Sequence, residues 1–258
     1  MSRDSTRKVL GVAFLLCLIC SILVSVAAVG LHARQEKNKT EEKRKNILQA
    51  AGLYQADIPV EEQFSKIETR ILDLKTAKFT DKFSLAGFDS RTLARDPASN
   101  RAIPQALDLA HIKVRSRYKA VYLVITNNQL QQLILPVHGK GLWSTMYGFI
   151  SLASDLTTVK GFAFYEHGET PGLGGEIDNP NWKKQWPGKK IYDEAGNTRI
   201  EVLKGRVDKT SPDAIYQADG LSGATLTGRG VSNLLKYWMG EDGYKPFLEK
   251  LKKEGLKL

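Results

Sequence analysis

The sequence has very little cysteine, and its two cysteines, Cys17 and Cys20, both fall inside one apolar stretch near the N-terminus. The chain after Leu31 therefore contains no thiol, which suits an oxidising compartment. The Cys-x-x-Cys spacing resembles a redox or metal pair, but two thiols cannot complete a four-ligand site. An apolar helix also tolerates cysteine as a small hydrophobe. We assign neither cysteine a ligand role, because such a role would require further cysteines from a partner protein.

Nucleic-acid-binding motifs and internal repeats are also missing. The formal net charge is +10, yet lysine and arginine are spread along the chain rather than gathered in one cluster. We interpret this basicity as a surface property that favours anionic lipid headgroups or acidic proteins over nucleic acid. A chain of 258 residues with 42% hydrophobic content can bury one principal domain, with additions at its N-terminus.

Charge is absent from Val9 to Leu31. A membrane-spanning helix needs about 20 apolar residues, so we predict a transmembrane helix at 9–31 behind a short N-terminus at 1–8. The alternative is a cleaved signal peptide with small residues at 25–27. The run exceeds the roughly 7 to 15 apolar residues of a signal peptide, which favours an uncleaved anchor. Basic residues flank the run on both sides, so the positive-inside rule does not decide the orientation.

Residues 32–104 are expected to form a juxtamembrane helical neck and a connection, with helical patterning from Asn46 to Leu74 and an irregular, polar stretch from Phe79 to Pro104. The main domain is expected at 105–258.

Strand-forming segments dominate the middle of that domain. Tyr118–Val124 and Leu130–Val137 flank a polar turn and predict a hairpin, and Val159–Tyr165 predicts another strand. Ile191–Tyr192 and Ile200–Leu203 predict a second hairpin. Together with the helices before and after them, these strands indicate an α+β fold with an antiparallel sheet and flanking helices.

A stretch of low bulk, Ser222 to Thr225, presents hydroxyls beside residues that let a large group approach the backbone, and Thr227 adds another hydroxyl. Gly228 to Gly230 is expected to interrupt any helix, and apolar residues then recur with helical spacing up to Trp238. Helix N-termini favour phosphate, so the stretch is interpreted as a phosphate site. On these residues alone, an ordinary turn that starts a helix explains the pattern too.

Two glycine-containing loops precede that stretch. In the first, Gly139–Gly148, the aromatic residues Trp143 and Tyr147 either stack on a planar ring or belong to the core. The second, His167–Glu176, is dense in glycine, as is needed where backbone approaches a ligand closely. His167 and Glu169 there are candidate metal ligands or proton carriers, and a salt bridge within the loop or plain exposure is the competing interpretation.

These segments resemble one family, the C subunit of the sodium-translocating NADH:quinone reductase. The resemblance runs the whole length of the chain. It comprises the N-terminal anchor, Gly-Leu-Trp-Ser-Thr-Met-Tyr-Gly at 141–148, Glu-Thr-Pro-Gly-Leu-Gly-Gly-Glu at 169–176, and Asp-Gly-Leu-Ser-Gly-Ala-Thr at 219–225.

The resemblance implies that a flavin transferase esterifies Thr225 to the phosphate of FMN. It further implies a translocase-type oxidoreductase of six subunits in the bacterial inner membrane, with this chain relaying electrons while the complex oxidises NADH, reduces ubiquinone and exports sodium. The N-terminus is then cytoplasmic and the FMN domain lies at the periplasmic face. No catalytic side chain or metal is expected, because the flavin carries the chemistry. We expect further FMN contacts from Ser222, Gly223, Ala224 and Thr227 around the phosphate, and from Trp143, Glu169, Thr170, Leu173 and Gly174 around the ring.

Two alternatives stay open. The related G subunit of the ferredoxin:NAD oxidoreductase complex, also a flavoprotein, is similar in anchor, domain and acceptor motif. The loops ending in Gly-Gly-Glu and containing Trp-Ser-Thr-Met favour the C subunit of the quinone reductase. The other alternative, from a different functional class, is a flavin-free, membrane-anchored binding protein.

Overall fold

The computed structural model describes residues 6–256. Its helices are α1 (Thr6–Ala50), α2 (Val60–Phe64), α3 (Ser90–Arg95), α4 (Pro180–Lys183), α5 (Thr225–Trp238) and α6 (Lys245–Glu254). Its strands are β1 (Ile67–Asp73), β2 (Lys78–Phe79), β3 (Asn100–Ala102), β4 (Val114–Ser116), β5 (Tyr118–Thr126), β6 (Gln129–Lys140), β7 (Thr145–Ala153), β8 (Val159–Glu166), β9 (Glu201–Val202) and β10 (Gln217–Ala218). Short 3₁₀ helices occupy Gly174–Asp178 and Pro212–Tyr216.

The main sheet has six strands in the order β2-β1-β5-β6-β7-β8, and every neighbouring pair in it is antiparallel. This confirms the expected α+β fold with an antiparallel sheet. The predicted hairpin is β5–β6, in which Tyr122 faces Ile134. Asn127 and Asn128 form its turn with φ of 52° and 59°, the left-handed values that a two-residue hairpin turn requires and asparagine tolerates.

Helices cover both faces of the sheet. On one face, α5 lies against β6 and β9 and buries its predicted apolar positions, Val231, Leu234, Leu235 and Trp238. On the other face, the last turn of α1 buries Ile47 and Leu48 with Tyr122 and Phe149 of the sheet. Each fully buried side chain of this kind contributes about 1.5–3 kcal/mol. The sheet is thus a fixed platform from whose strand ends the loops project.

Two expectations about helices are wrong. The helical neck at 46–74 is not continuous, because α1 ends at Ala50 and residues 67–73 form β1, which pairs with β5. A spacing of four residues, as between Ile67 and Ile71, occurs on one face of a strand as well as on a helix. In addition, the glycines at 228–230 do not interrupt a helix: α5 begins at Thr225 and runs through them. Those glycines lie where α5 packs closely against its neighbours.

The second predicted hairpin is only partly formed. Tyr192 and Thr198 make a single antiparallel bridge, whereas β9 pairs in parallel with β10 in a separate two-stranded sheet. The domain also begins earlier than residue 105, since β1 and β2 belong to the main sheet. By its internal contacts the chain divides into two compact units, one ending at Lys43 and the other beginning at Arg44.

The first unit contains the predicted anchor. Helix α1 includes 9–31, and among the described residues 6–256 it is the one helix long and apolar enough to cross a membrane by length and composition. Its large apolar side chains from Val9 to Leu31 are exposed. A water-exposed surface of this kind is costly, whereas a bilayer would cover it.

Candidate functional site

The stretch of low bulk ends at the first residue of α5. Thr225 opens the helix and is exposed, as is Ser222. Gly223 adopts φ of +69°, a conformation that side chains disfavour, and this turn leads the chain into the helix. Ala224 is buried in the core, so only its backbone is available to a ligand. The first turn of α5 carries no acidic residue, and its leading amides have no partner within the helix, an arrangement that favours an anion.

Glu169 connects this helix to the two glycine loops. The residue is only 4% exposed. The amides of Trp143 and Ser144 donate to Oε1 at 3.0 and 3.2 Å, and the amide of Leu142 donates to Oε2 at 3.1 Å. The Thr227 hydroxyl also donates to Oε2, at 2.6 Å. One carboxylate therefore holds three separate chain segments together.

These contacts fix the charge state of Glu169. Burial alone would raise the pKa of its carboxyl, but the hydrogen bonds from the Thr227 hydroxyl and from the backbone amides of the 142–144 segment outweigh it. The pKa is lowered below its ordinary value. Glu169 is accordingly a carboxylate at neutral pH.

Thr227 is placed differently from the phosphate contact expected of it. The residue is fully buried, and its hydroxyl donates a hydrogen bond to Glu169. Gly174 lies against both residues: a Cβ there would be 2.5 Å from Thr227 Oγ1 and 2.9 Å from Glu169 Oε2. The expected site residues Glu169, Gly174 and Thr227 thus meet in the interior beneath Thr225, with no surface of the Thr227 hydroxyl left for a phosphate oxygen.

Large apolar side chains remain at the surface around this interior cluster. Trp143 is 67% exposed, and Leu142, Leu173 and Leu226 are also exposed. Leu173 lies beside the low-bulk stretch, since a Cβ on Gly223 would be 3.0 Å from its Cδ2. Trp143 is expected either to stack on a planar ring or to belong to the core, and its exposure excludes the core. These side chains offer apolar faces to a planar group held near Thr225.

Tyr147, the other aromatic residue of the first loop, lies outside this group. It sits in β7 and stacks on His138, with ring centroids 5.4 Å apart. The guanidinium carbon of Arg91 lies 3.7 Å from the centre of its ring. Tyr147 is therefore part of the packing on the sheet.

The second loop has further contacts through His167 and through its own backbone. His167 Nε2 lies 2.7 Å from Asp178 Oδ2, and His167 Nδ1 accepts from the amide of Glu169. Thr170 is exposed and its carbonyl accepts from the amides of Leu173 and Gly175. Among residues 6–256 there is no group of three or more His, Cys, Asp or Glu side chains able to hold a metal ion. His167 forms a pair with the Asp178 carboxylate, which lies just beyond the loop rather than within it.

Two residues that position the site were not singled out by sequence reasoning. Ser144 Oγ accepts from the amide of Gly168 at 2.6 Å and so joins the two loops directly. Asp219 is held from three sides: its carbonyl accepts from the Trp182 indole, its amide donates to Gln185, and its carboxylate accepts from the amide of Val207. Asp219 occurs in the motif that carries the resemblance, but its partners lie far away in sequence and gave no signal.

Comparisons with known proteins agree with this arrangement. Residues 141–240, which include most of the first loop and all of α5, match the family described as FMN-binding domain. The C subunit of the Na⁺-translocating NADH-quinone reductase of Pseudomonas aeruginosa is 48% identical over 256 residues, covering 98% of this chain and 98% of that protein. The corresponding protein of Vibrio vulnificus is 44% identical, covering 99% of each chain.

Solved structures give the same result. The crystal structure of NqrC from Shewanella oneidensis superposes with a TM-score of 0.77 at 33% identity, covering 84% of this chain and 100% of that one. The C subunit from Parabacteroides distasonis superposes with a TM-score of 0.65 at 26% identity, covering 84% and 96%. The chain therefore belongs to the family of C subunits of the Na⁺-translocating NADH-quinone reductase.

Proposed function

We propose that this chain is the flavoprotein subunit that carries FMN on Thr225, through a phosphoester, and relays electrons within a sodium-exporting NADH:ubiquinone reductase. One observation carries the assignment of the residue. Of the hydroxyls in the first turn of α5, that of Thr225 belongs to an exposed residue, whereas that of Thr227 is buried and donates to Glu169.

The surroundings of Thr225 fit FMN in two respects. The leading amides of α5 and the absence of an acidic residue in its first turn suit a phosphate. Leu142, Trp143 and Leu173 supply apolar surface for a planar ring. FMN held there supplies reversible electron acceptance and donation. The protein contributes a fixed binding surface, because Glu169 connects the loops to the helix by hydrogen bonds.

Attachment is a group transfer with no change of oxidation state. The Thr225 hydroxyl oxygen bonds to the phosphorus of FMN, and the hydroxyl proton is released to water. The flavin transferase must receive FMN in activated form, as a flavin dinucleotide, so that the pyrophosphate bond breaks and a nucleoside monophosphate leaves. The exposed position of Thr225 leaves it accessible to such a partner enzyme.

We further propose that α1 anchors the chain in the bacterial inner membrane, in a complex of six subunits, with the FMN domain at the periplasmic face. The apolar surface of α1 from Val9 to Leu31 supports membrane embedding. The thiol-free domain beyond Leu31 suits the oxidising periplasm.

The attachment site is tested by peptide mass spectrometry after co-expression with the flavin transferase. The peptide spanning residues 219–229 is expected to gain the mass of FMN less water, and Thr225→Ala is expected to abolish both this gain and the flavin fluorescence of the denatured protein. Ser222→Ala is the matched comparison: it removes a neighbouring exposed hydroxyl that is expected to contact the phosphate but not to carry it, so the label should form more slowly yet still be present. An unmodified Thr225 peptide, or loss of label only in Ser222→Ala, would refute the assignment.

A further inference from the structure

The Glu169 carboxylate is buried, charged and outside the chemistry of flavin attachment itself. It reaches Thr227 across 58 residues of sequence. Burying a carboxylate is costly unless its oxygens are hydrogen-bonded. Here four donors satisfy it: the amides of Leu142, Trp143 and Ser144 and the hydroxyl of Thr227. Apolar residues could fill the same volume without the cost of burying a charge. We therefore ask what these hydrogen bonds do besides stabilising the fold.

Helix geometry connects Thr227 to Thr225. Each residue of an α-helix advances by about 100°, so two positions apart the side chains point about 200° apart, to nearly opposite sides. Val231, Leu234 and Trp238 bury the later turns of α5, and the hydrogen bond to Glu169 holds Thr227 inward in the first turn. The same contact therefore fixes Thr225 outward, at the end of α5 where the leading amides lie.

The loops are fixed by the same carboxylate. The amides of 142–144 and the Thr227 hydroxyl share it, so the segment bearing Trp143 is held to the first turn of α5. Gly174 packs on both partners, and Leu173 beside it reaches Gly223. The residues proposed to surround FMN are thereby assembled around Thr225 by contacts that involve only the protein.

We propose that Glu169 and Thr227 are positioning residues for flavin attachment: their hydrogen bond turns Thr225 outward and assembles the loops around it before the flavin arrives. This inference rests on the proposed function of Thr225. It differs from the expectation that Glu169 touches the flavin ring and that Thr227 touches the phosphate, because both side chains act through Thr225 and the loops.

The test is the rate of flavin attachment in vitro. The full-length, unmodified chain in detergent is incubated with purified flavin transferase and flavin dinucleotide, and the gain of mass is followed over time. Thr227→Val removes the hydroxyl at similar volume and is expected to slow attachment about tenfold or more, as loss of a hydrogen bond to a charged group commonly does. Thr227→Ser keeps the hydroxyl and should stay within about twofold of the wild-type rate.

A second buried hydroxyl of α5 separates positioning from general stability. Ser232 lies on the same helix, two turns beyond Thr225. Its Oγ accepts from the amide of Val202 at 2.8 Å. Ser232→Ala should lower the melting temperature yet leave the attachment rate near wild type. Glu169→Gln, which keeps the volume but loses an acceptor oxygen, should slow attachment as Thr227→Val does and so tests the same contact from its other side.

The outcomes separate this inference from the proposed function. If the wild-type chain takes up no label, the assignment of Thr225 fails. If the wild type is labelled and Thr227→Val is labelled at the same rate, the positioning role is wrong. It is also wrong if Ser232→Ala slows attachment as much as Thr227→Val at an equal loss of melting temperature, because stability alone then explains the rate.

Discussion

Glu169 is the residue that joins the first loop to the start of α5. Its pKa is lowered because hydrogen bonds from Thr227 and the amides of the first loop outweigh the effect of burial. A carboxyl group whose pKa is lower in the folded state stabilises that state when it is ionised. This contribution is present above its ordinary pKa of 4.5 and is lost as the pH falls through the lower folded value.

Glu169→Gln should therefore destabilise the domain in a pH-dependent way. At pH 7 the loss of charge-assisted hydrogen bonds should cost about 1–3 kcal/mol in the free energy of unfolding. Below pH 4.5 the difference from wild type should begin to shrink, because the carboxyl of the unfolded wild-type chain is then protonated, and it should be lost as the pH falls through the lower pKa of the folded state. Urea denaturation at a series of pH values measures the loss of stability at pH 7 and its decrease at lower pH. A difference that stays constant down to the acid limit would contradict an ionised, hydrogen-bonded Glu169.

Sequence reasoning proposed a site from residues of which Glu169, Gly174 and Thr227 do meet in the fold, but it did not predict that they contact one another. The choice of Thr225 within the 222–225 stretch came from the resemblance, whereas the stretch itself could be singled out because its motif is local: small residues, hydroxyls and a helix start within a few positions. The partner of Thr227 could not, since Glu169 is 58 residues away and only the fold brings them together. A threonine two positions from the proposed attachment site looks like a second ligand in sequence, whereas the 100° step of the helix turns it into the core.

At the scale of elements, α5 shows how tertiary packing overrides local preference. Glycines at 228 and 230 disfavour a helix by about 1 kcal/mol each, yet α5 continues through them. The reason at Gly230 is contact: a Cβ there would lie 2.6 Å from the carbonyl oxygen of Lys140 and 3.2 Å from Gly141 Cα. Absence of a side chain lets the helix approach the start of the first loop.

Gly230→Ala should thus destabilise the domain although alanine is the better helix former. Helix propensity favours the change by about 0.8–1 kcal/mol, but a Cβ pressed against backbone forces a shift that costs about 1–3 kcal/mol. We expect a lower melting temperature in differential scanning fluorimetry. Gly228→Ala is the control, because its Cβ would meet only the Val202 side chain, at 3.2 Å, and it should perturb the domain less. A raised melting temperature for Gly230→Ala would mean that propensity outweighs this contact.

Other elements could be predicted when neighbouring residues in the sequence determine them. The β5–β6 hairpin follows from two β-prone runs around a turn with Asn127 and Asn128, and it forms as expected. Residues 67–73 were harder, because the spacing of Ile67, Ile71 and Leu74 fits a helical period. In the fold, that segment is strand β1 because it pairs along its whole length with β5, and pairing with a distant strand leaves no local signature.

At the scale of the whole molecule, the uncharged run of α1 marks the anchor but not its direction. Basic residues flank the run on both sides, with Arg7 and Lys8 before it and Arg34 and Lys37 among those after it. Long domains cross the membrane largely regardless of such charges. The proposed orientation therefore depends on family membership and on the thiol-free domain, and it needs its own measurement.

A reporter fused after Leu258 measures that orientation in the full chain. Alkaline phosphatase, which needs an oxidising compartment to fold, should be active there, whereas a fluorescent protein that folds only in the cytoplasm should stay dark. The matched control places the same two reporters ahead of Met1, where the pattern should reverse if α1 spans the membrane once. Fluorescence after Leu258 would place the FMN domain in the cytoplasm. Identical results at both ends would mean instead that α1 does not span the membrane.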